Sequence, residues 1–181
     1  DITINAGILS AGNAFADGFG DGNIIFNGGI LKYTNNTNDF SSRISNASQA
    51  IKVDTNGQNV IWITDLFNSS SSLTKSGTGT FTISGTIGIN NSDSNAPGYN
   101  AAFVPLNLSV TGGTLSLPGT VVSMGDISLQ GGSLNCPGCP SLGNFVASQG
   151  ATVNFSSAIF DSLTLASNVV MTANSLLVYN T

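Results

Sequence analysis

The chain has 181 residues, of which Ser, Thr, Asn and Gly contribute 25, 17, 22 and 22, nearly half the total; only 7% are charged, with nine Asp, no Glu, three Lys, one Arg and no His, for a net charge of −5. A chain this poor in Glu and Lys and this rich in turn and strand formers is not helical, and 40% hydrophobic residues with so little charge do not make a disordered one. Without His there is no Ser-His-Asp or Cys-His machinery and no imidazole metal site, and four basic residues cannot neutralise a phosphate backbone, so nucleic acid is not an expected partner.

In chain order, short segments alternate apolar with small polar residues and are bounded by Gly, Asn or Ser. They are Ile2-Thr3-Ile4, Val60 to Ile63, Phe81-Thr82-Ile83, Leu106 to Val110 and Leu163-Thr164-Leu165. This alternation predicts strands, and no segment keeps a helical period. Beneath the strands runs a repeat, apolar-x-apolar-x-x-Gly-x-Leu. It reads ITINAGIL from Ile2, IIFNGGIL from Ile24, LSVTGGTL from Leu108 and ISLQGGSL from Ile127, with a degraded copy, FVASQGATV, from Phe145. The repeat-turn glycines are Gly7, Gly29, Gly113, Gly132 and Gly150; the clear steps are 22 from Gly7 to Gly29, 19 from Gly113 to Gly132 and 18 from Gly132 to Gly150. A period near 20 with one strand–turn–strand unit per copy predicts a solenoid. The expected architecture is an all-β parallel β-helix of eight or nine coils, forming one domain over residues 1–181. Its apolar residues would stack between coils, because a single coil cannot bury its own apolar side. The polar stretch 90–105, with Pro97-Gly98 and Pro105, interrupts the rhythm and is expected to protrude as a loop. No apolar run approaches the roughly 18 residues of a membrane span, so no membrane insertion is expected, and residues 1–20 lack the basic start and apolar core of a signal peptide.

From Asn27 to Gly85 four strings occur in a fixed order: Asn27-Gly28-Gly29-Ile30-Leu31, Asp39 to Arg43, Asp54 to Val60, and Leu73-Thr74-Lys75-Ser76-Gly77-Thr78-Gly79-Thr80. Together with the lead-in Ile4 to Leu9 and Gly22 to Phe26, they make residues 1–85 resemble the autotransporter-associated β-strand repeat, a module of bacterial surface and secreted passenger regions. The Thr-Tyr-x-Gly-type tail of that repeat is missing at Thr86 to Ile89. The resemblance implies a right-handed parallel β-helix within a long extracellular protein, and a scaffold without catalytic residues.

Cys136-Pro137-Gly138-Cys139 is the most conspicuous chemical motif. Zinc needs about four ligands, which two Cys without His do not supply, and redox pairs work at a helix N-terminus, which is not expected here. A structural disulfide between Cys136 and Cys139 across a tight Pro-Gly corner is the preferred reading, and free thiols stay open. Asp17-Gly18-Phe19-Gly20-Asp21-Gly22-Asn23 offers oxygen ligands among glycines but lacks a third carboxylate, so a turn is expected rather than calcium. Trp62 is expected inside or stacked rather than as a sugar platform. Asn35, Asn46, Asn68, Asn90, Asn107 and Asn154 begin Asn-x-Ser/Thr sequons, and outward Thr78, Thr80 and Thr82 resemble a flat ice-binding face, but the motif is not expected to repeat on successive coils, so ice binding is not expected. No catalytic residue, cofactor or metal is expected.

These readings point to a non-enzymatic structural or adhesin-type scaffold outside a bacterial cell, part of a surface-exposed passenger or stalk, with a surface glycan or protein as its candidate ligand. The first alternative is a subunit of a self-assembling extracellular fibre, since Asp1 to Ile4 and Ser175 to Tyr179 both read as strands open to end-to-end pairing; in a fragment the same strands would mark only where neighbouring coils adjoin. A polysaccharide-acting β-helix enzyme is the lesser alternative, because the nine Asp are scattered.

Overall fold

The computed structural model describes all residues except 13–21, 45–49, 65, 67–71, 88–105, 120, 122–123, 140–141 and 180–181. It is an all-β parallel solenoid of about seven turns, slightly fewer than the expected eight or nine. The elements are β1 (Ile2–Ile4), β2 (Ile8–Ala11), β3 (Ile24–Phe26), β4 (Ile30–Tyr33), a 3-10 turn at Ser41–Arg43, β5 (Ile51–Asp54), β6 (Val60–Trp62), β7 (Ser72–Ser76), β8 (Thr80–Ile83), β9 (Leu106–Val110), β10 (Thr114–Ser116), β11 (Met124–Gln130), β12 (Ser133–Cys136), β13 (Leu142–Ser148), β14 (Thr152–Leu165) and β15 (Val170–Val178).

The coil has three faces. The first holds β1 and β3 and continues through single bridges at Ile24↔Ile44, Leu66↔Ile87 and Ile87↔Val121. The second is the longest ladder, β2-β4-β5-β7-β9-β11-β13 and the second half of β14, eight rungs in all. The third is β6-β8-β10-β12, the first half of β14, and β15. Eight rungs at the ordinary strand spacing make a rod of roughly 34 Å.

Register gives the circumference. The pairs Ile2↔Ile24, Leu31↔Val53 and Ile51↔Leu73 are each offset by 22 in the chain; Leu73↔Leu108 is offset by 35, Leu108↔Ile127 by 19, and Ile127↔Phe145 and Phe145↔Leu163 by 18. The long coil from Leu73 to Leu108 is the one containing the expected loop, which lies outside the described residues. In the shortest coils β14 runs from the third face to the second as one strand. There Phe145, Phe155 and Phe160 pack ring against ring, with centroids 5.1 to 5.9 Å apart.

Alternation decides which side chains enter. On the second face one inward column is Ile51, Leu73, Leu108, Ile127 and Phe145; on the third, Val60, Phe81, Leu115, Leu134 and Val153; all are buried. These columns join into one cluster from Ile4 to Phe160. Trp62 lies fully inside, as expected, edge-on to Phe81 at 4.8 Å, and its indole N–H donates to the buried Tyr33 hydroxyl at 2.8 Å.

The five keyed glycines occupy two corners, not one. β2 and β4, which follow Gly7 and Gly29, pair in line with β5, which precedes its own corner at Asn56-Gly57. Gly113, Gly132 and Gly150 lie on the corner between the second and third faces, whereas Gly7 and Gly29 lie between the first and second. The physical demand also differs. Gly7, Gly113, Gly132 and Gly150 have φ between +63° and +83°, which a Cβ disfavours. At Gly29 the positive φ belongs to its neighbour Gly28, at 97°, and Gly29 itself is required because a Cβ would overlap the Cγ2 of Ile4.

Candidate functional site

The corner between the second and third faces contains the most unusual side chain in the described structure. Lys75 occupies an inward column position, between Val53 and Val110 on neighbouring coils, and is fully buried. A lone buried ammonium is costly unless its three donors are met. Here Nζ donates to Thr55 Oγ1 at 2.7 Å, the Ser76 carbonyl at 2.9 Å and the Gly77 carbonyl at 2.6 Å. Burial draws the ammonium down to about 8, opposed by the neighbouring carboxylate of Asp54, so at pH 7 it stays charged. A Cβ on Gly113 would lie 2.6 Å from the same Nζ and closer still to the Gly79 carbonyl, so the next coil can approach this corner only with glycine there. The Leu-Thr-Lys-x-Gly-x-Gly-Thr string is where this corner is written in the sequence. Alternation with Leu73 puts Lys75 on the inner side, but a cation among aliphatic residues gave no reason to expect it there.

Several other polar side chains cap corners and tie neighbouring coils. Asp39 accepts the amides of Ser41 (2.8 Å) and Ile63 (3.1 Å), and Asp54 accepts Asn56 N–H at 2.8 Å and faces Lys32 at 3.7 Å. Asp126 accepts both the backbone and side-chain N–H groups of Asn144, at 2.9 and 3.0 Å. Asn107, Asp126, Asn144 and Ser162 thus form an axial ladder, which Asn107 Oδ1 joins by accepting Asp126 N–H and Ser162 by donating to Asn144 Oδ1. Beside the ladder lies an open trough of about 440 Å³, lined by Ser72, Thr74, Ser109, Ser128 and Val146 as well. Tyr33, deep in the core, is held protonated far above the usual phenol range, mainly by burial and secondarily by Asp39, against the Trp62 hydrogen bond.

The remaining candidates fall as follows. Cys136 and Cys139 are joined as a disulfide across the Pro137-Gly138 corner, Cα to Cα 5.6 Å, both buried at the third face. Residues 17–21 of the glycine-rich acidic segment lie outside the described residues, as do Asn46, Asn68 and Asn90. Among the described residues no three Cys or Asp side chains gather as a metal site, and no helix is long and apolar enough to cross a membrane. Asn35 is exposed with φ 57°, Asn107 is in the axial ladder, and Asn154 donates to Asn135 at 3.0 Å. Thr80 and Thr82 do recur on successive coils, in kind rather than identity: Thr114/Ser116, Ser133/Asn135 and Thr152/Asn154 follow them in register on the third face. That repetition was hidden because Ser, Thr and Asn substitute for one another along the row.

No protein-family model matches the chain, and no curated protein or solved structure matches it either. The class of protein rests on the geometry alone: a parallel β-solenoid.

Proposed function

We propose that this chain is a non-enzymatic extracellular scaffold, a β-helical segment of a bacterial surface-exposed passenger or stalk that holds distance and presents its outer face. The observation that carries the reading is the use of the polar side chains. Asp39, Asp126, Asn107, Asn144 and Lys75 hydrogen-bond from coil to coil, and Asp54 faces Lys32 of the preceding coil, as expected of a stiff element. The buried Cys136–Cys139 bridge suits an oxidising compartment, and the resemblance of residues 1–85 to a surface repeat points the same way. Protease shaving of intact source cells tests the location. Release of fragments bearing this segment is the expected result; protection until lysis contradicts it. Turnover of a polysaccharide by the purified chain would contradict the passive role.

A fibre subunit is the second reading. Its basis is the apolar surface of β15, where Val170, Leu176 and Leu177 are 59%, 45% and 46% exposed in this segment, a surface that a second copy or a further coil would cover. Sedimentation of the 181-residue chain separates the two: concentration-dependent filaments support the fibre, and a monomeric rod supports the stalk.

A further inference from the structure

The sequence contains two Asn-Gly steps, Asn27-Gly28 and Asn56-Gly57, both at exposed corners. Such a step is prone to succinimide formation, because the unhindered glycine amide nitrogen can attack the preceding side-chain amide. The fold treats the two steps differently. At the second, every backbone amide of the corner is engaged: Thr55 N–H donates to Ser76 O (3.1 Å), Asn56 N–H to Asp54 Oδ1 (2.8 Å), Gly57 N–H to Thr78 O (2.8 Å) and Gln58 N–H to Thr55 O (2.8 Å). The nucleophile is therefore occupied by the next coil. At the first, Asn27 N–H and Gly29 N–H both donate to Ile4 O, at 2.9 and 3.0 Å, while the Gly28 N–H between them has no partner among the described residues. Gly28 adopts φ 97° there, and the Asn27 side chain is held in place by its Nδ2 donating to Asn5 Oδ1 at 2.8 Å.

We propose that Asn27-Gly28 is a spontaneous modification site, converting to aspartate and isoaspartate through a succinimide, and that the fold protects Asn56-Gly57 from the same reaction. In the first step hydroxide removes the Gly28 N–H proton, the nitrogen bonds to Asn27 Cγ, and the Cγ–Nδ2 bond breaks as water protonates Nδ2, releasing ammonia and returning hydroxide. In the second, water adds to either ring carbonyl and opens the imide, leaving the carboxylate at Cγ as aspartate or, in the iso form, at the former main-chain carbonyl carbon while the chain now runs through Cγ. No oxidation or reduction occurs, and water is the only co-reactant. The product removes the donor that bonds Asn5 and places a negative charge at the corner where Lys52 Nζ donates to Gly28 O at 3.2 Å. The site does not depend on the scaffold reading.

The test is to age the full folded chain at mildly alkaline pH, then unfold it and digest with trypsin. Cleavage at Lys32, Arg43, Lys52 and Lys75 puts the two steps on separate peptides, 1–32 and 53–75, whose deamidation is followed by mass and by isoaspartyl methylation. A hydrogen-bonded amide reacts only after local opening, so Asn27 is expected to react at least about tenfold faster than Asn56. In concentrated guanidinium the two rates are expected to converge to within about twofold, since the fold no longer distinguishes them. Equal rates in the folded chain, no reaction at Asn27, or an undiminished disparity in guanidinium would each overturn the proposal.

Discussion

Lys75 and Gly113 show how a single corner position is constrained from two coils at once. The ammonium sits at about 8 in the folded chain against an ordinary 10.5, so between those values the unfolded chain binds more protons than the folded one. Stability therefore rises with pH from about 8 to about 10.5 through this residue, and is independent of its titration below 8. Lys75→Met is expected to remove that rise, read as the change in urea midpoint between pH 7 and pH 10.5. Gly113→Ala places a Cβ at φ 63° beside Lys75 Nζ and the Gly77 and Gly79 carbonyls, and is expected to lower stability by at least about 2 kcal/mol. Repeating that substitution in the Lys75→Met background relieves one of these clashes. The double-mutant cycle should therefore show a smaller cost, and strict additivity would mean that the two residues do not meet.

At the scale of elements, the alternation of apolar and small polar residues carried most of the information. Ile2 to Ile4, Phe81 to Ile83 and Leu106 to Val110 are strands with the expected residues inside, because a side-chain period of two leaves only one way to bury an aliphatic face. The phase of the repeat was not legible. NGGIL at Asn27 and TGGTL at Thr111 share Gly-Gly-x-Leu yet lie on different corners. Nothing local distinguishes them; the difference lies in which strand of the next coil each flanking strand pairs with. The burial of Lys75 was illegible for a related reason, since one of its three acceptors is a hydroxyl 20 positions away and the other two are backbone carbonyls turned inward by the corner. The third-face corner at Cys136-Pro137-Gly138-Cys139 is the element whose contribution is easiest to measure. Closing so short a loop restricts the unfolded chain by about 2 kcal/mol. Replacing both cysteines by alanine should lower the urea midpoint by a corresponding amount or more, since two buried sulfurs are lost as well. Reduction of the native protein before unfolding is expected to be slow, because both residues are within 1% of full burial.

For the whole molecule, stability is a sum over neighbouring coils rather than a property of one centre. The offset from Leu73 to Leu108 is 35 where that from Ile51 to Leu73 is 22, a surplus of 13. A deletion of that surplus from within 89–104 would restore the circumference of the preceding coil and leave Ile87 and Val121 offset by 21, the spacing of Leu66 and Ile87. Such a deletion is expected to fold with an unchanged far-ultraviolet circular dichroism spectrum and a urea midpoint close to that of the parent. Loss of the β spectrum would mean that the segment is part of the stack.

The narrowing of the coil-to-coil offset from 22 near the N-terminus to 18 near the C-terminus gives the rod a gauge that changes along its length. A duplicated stretch of gene will be accommodated where it lands beside its own template, because the copy has the local perimeter and repeats the local corner. Moved to the other end, the same stretch would be too short or too long by three or four positions and would carry its turn at the wrong vertex. Growth of such a molecule by recombination is thus expected to proceed by tandem copying of adjacent windings, and shuffled insertions are expected to fail for reasons of girth before any question of side-chain chemistry arises.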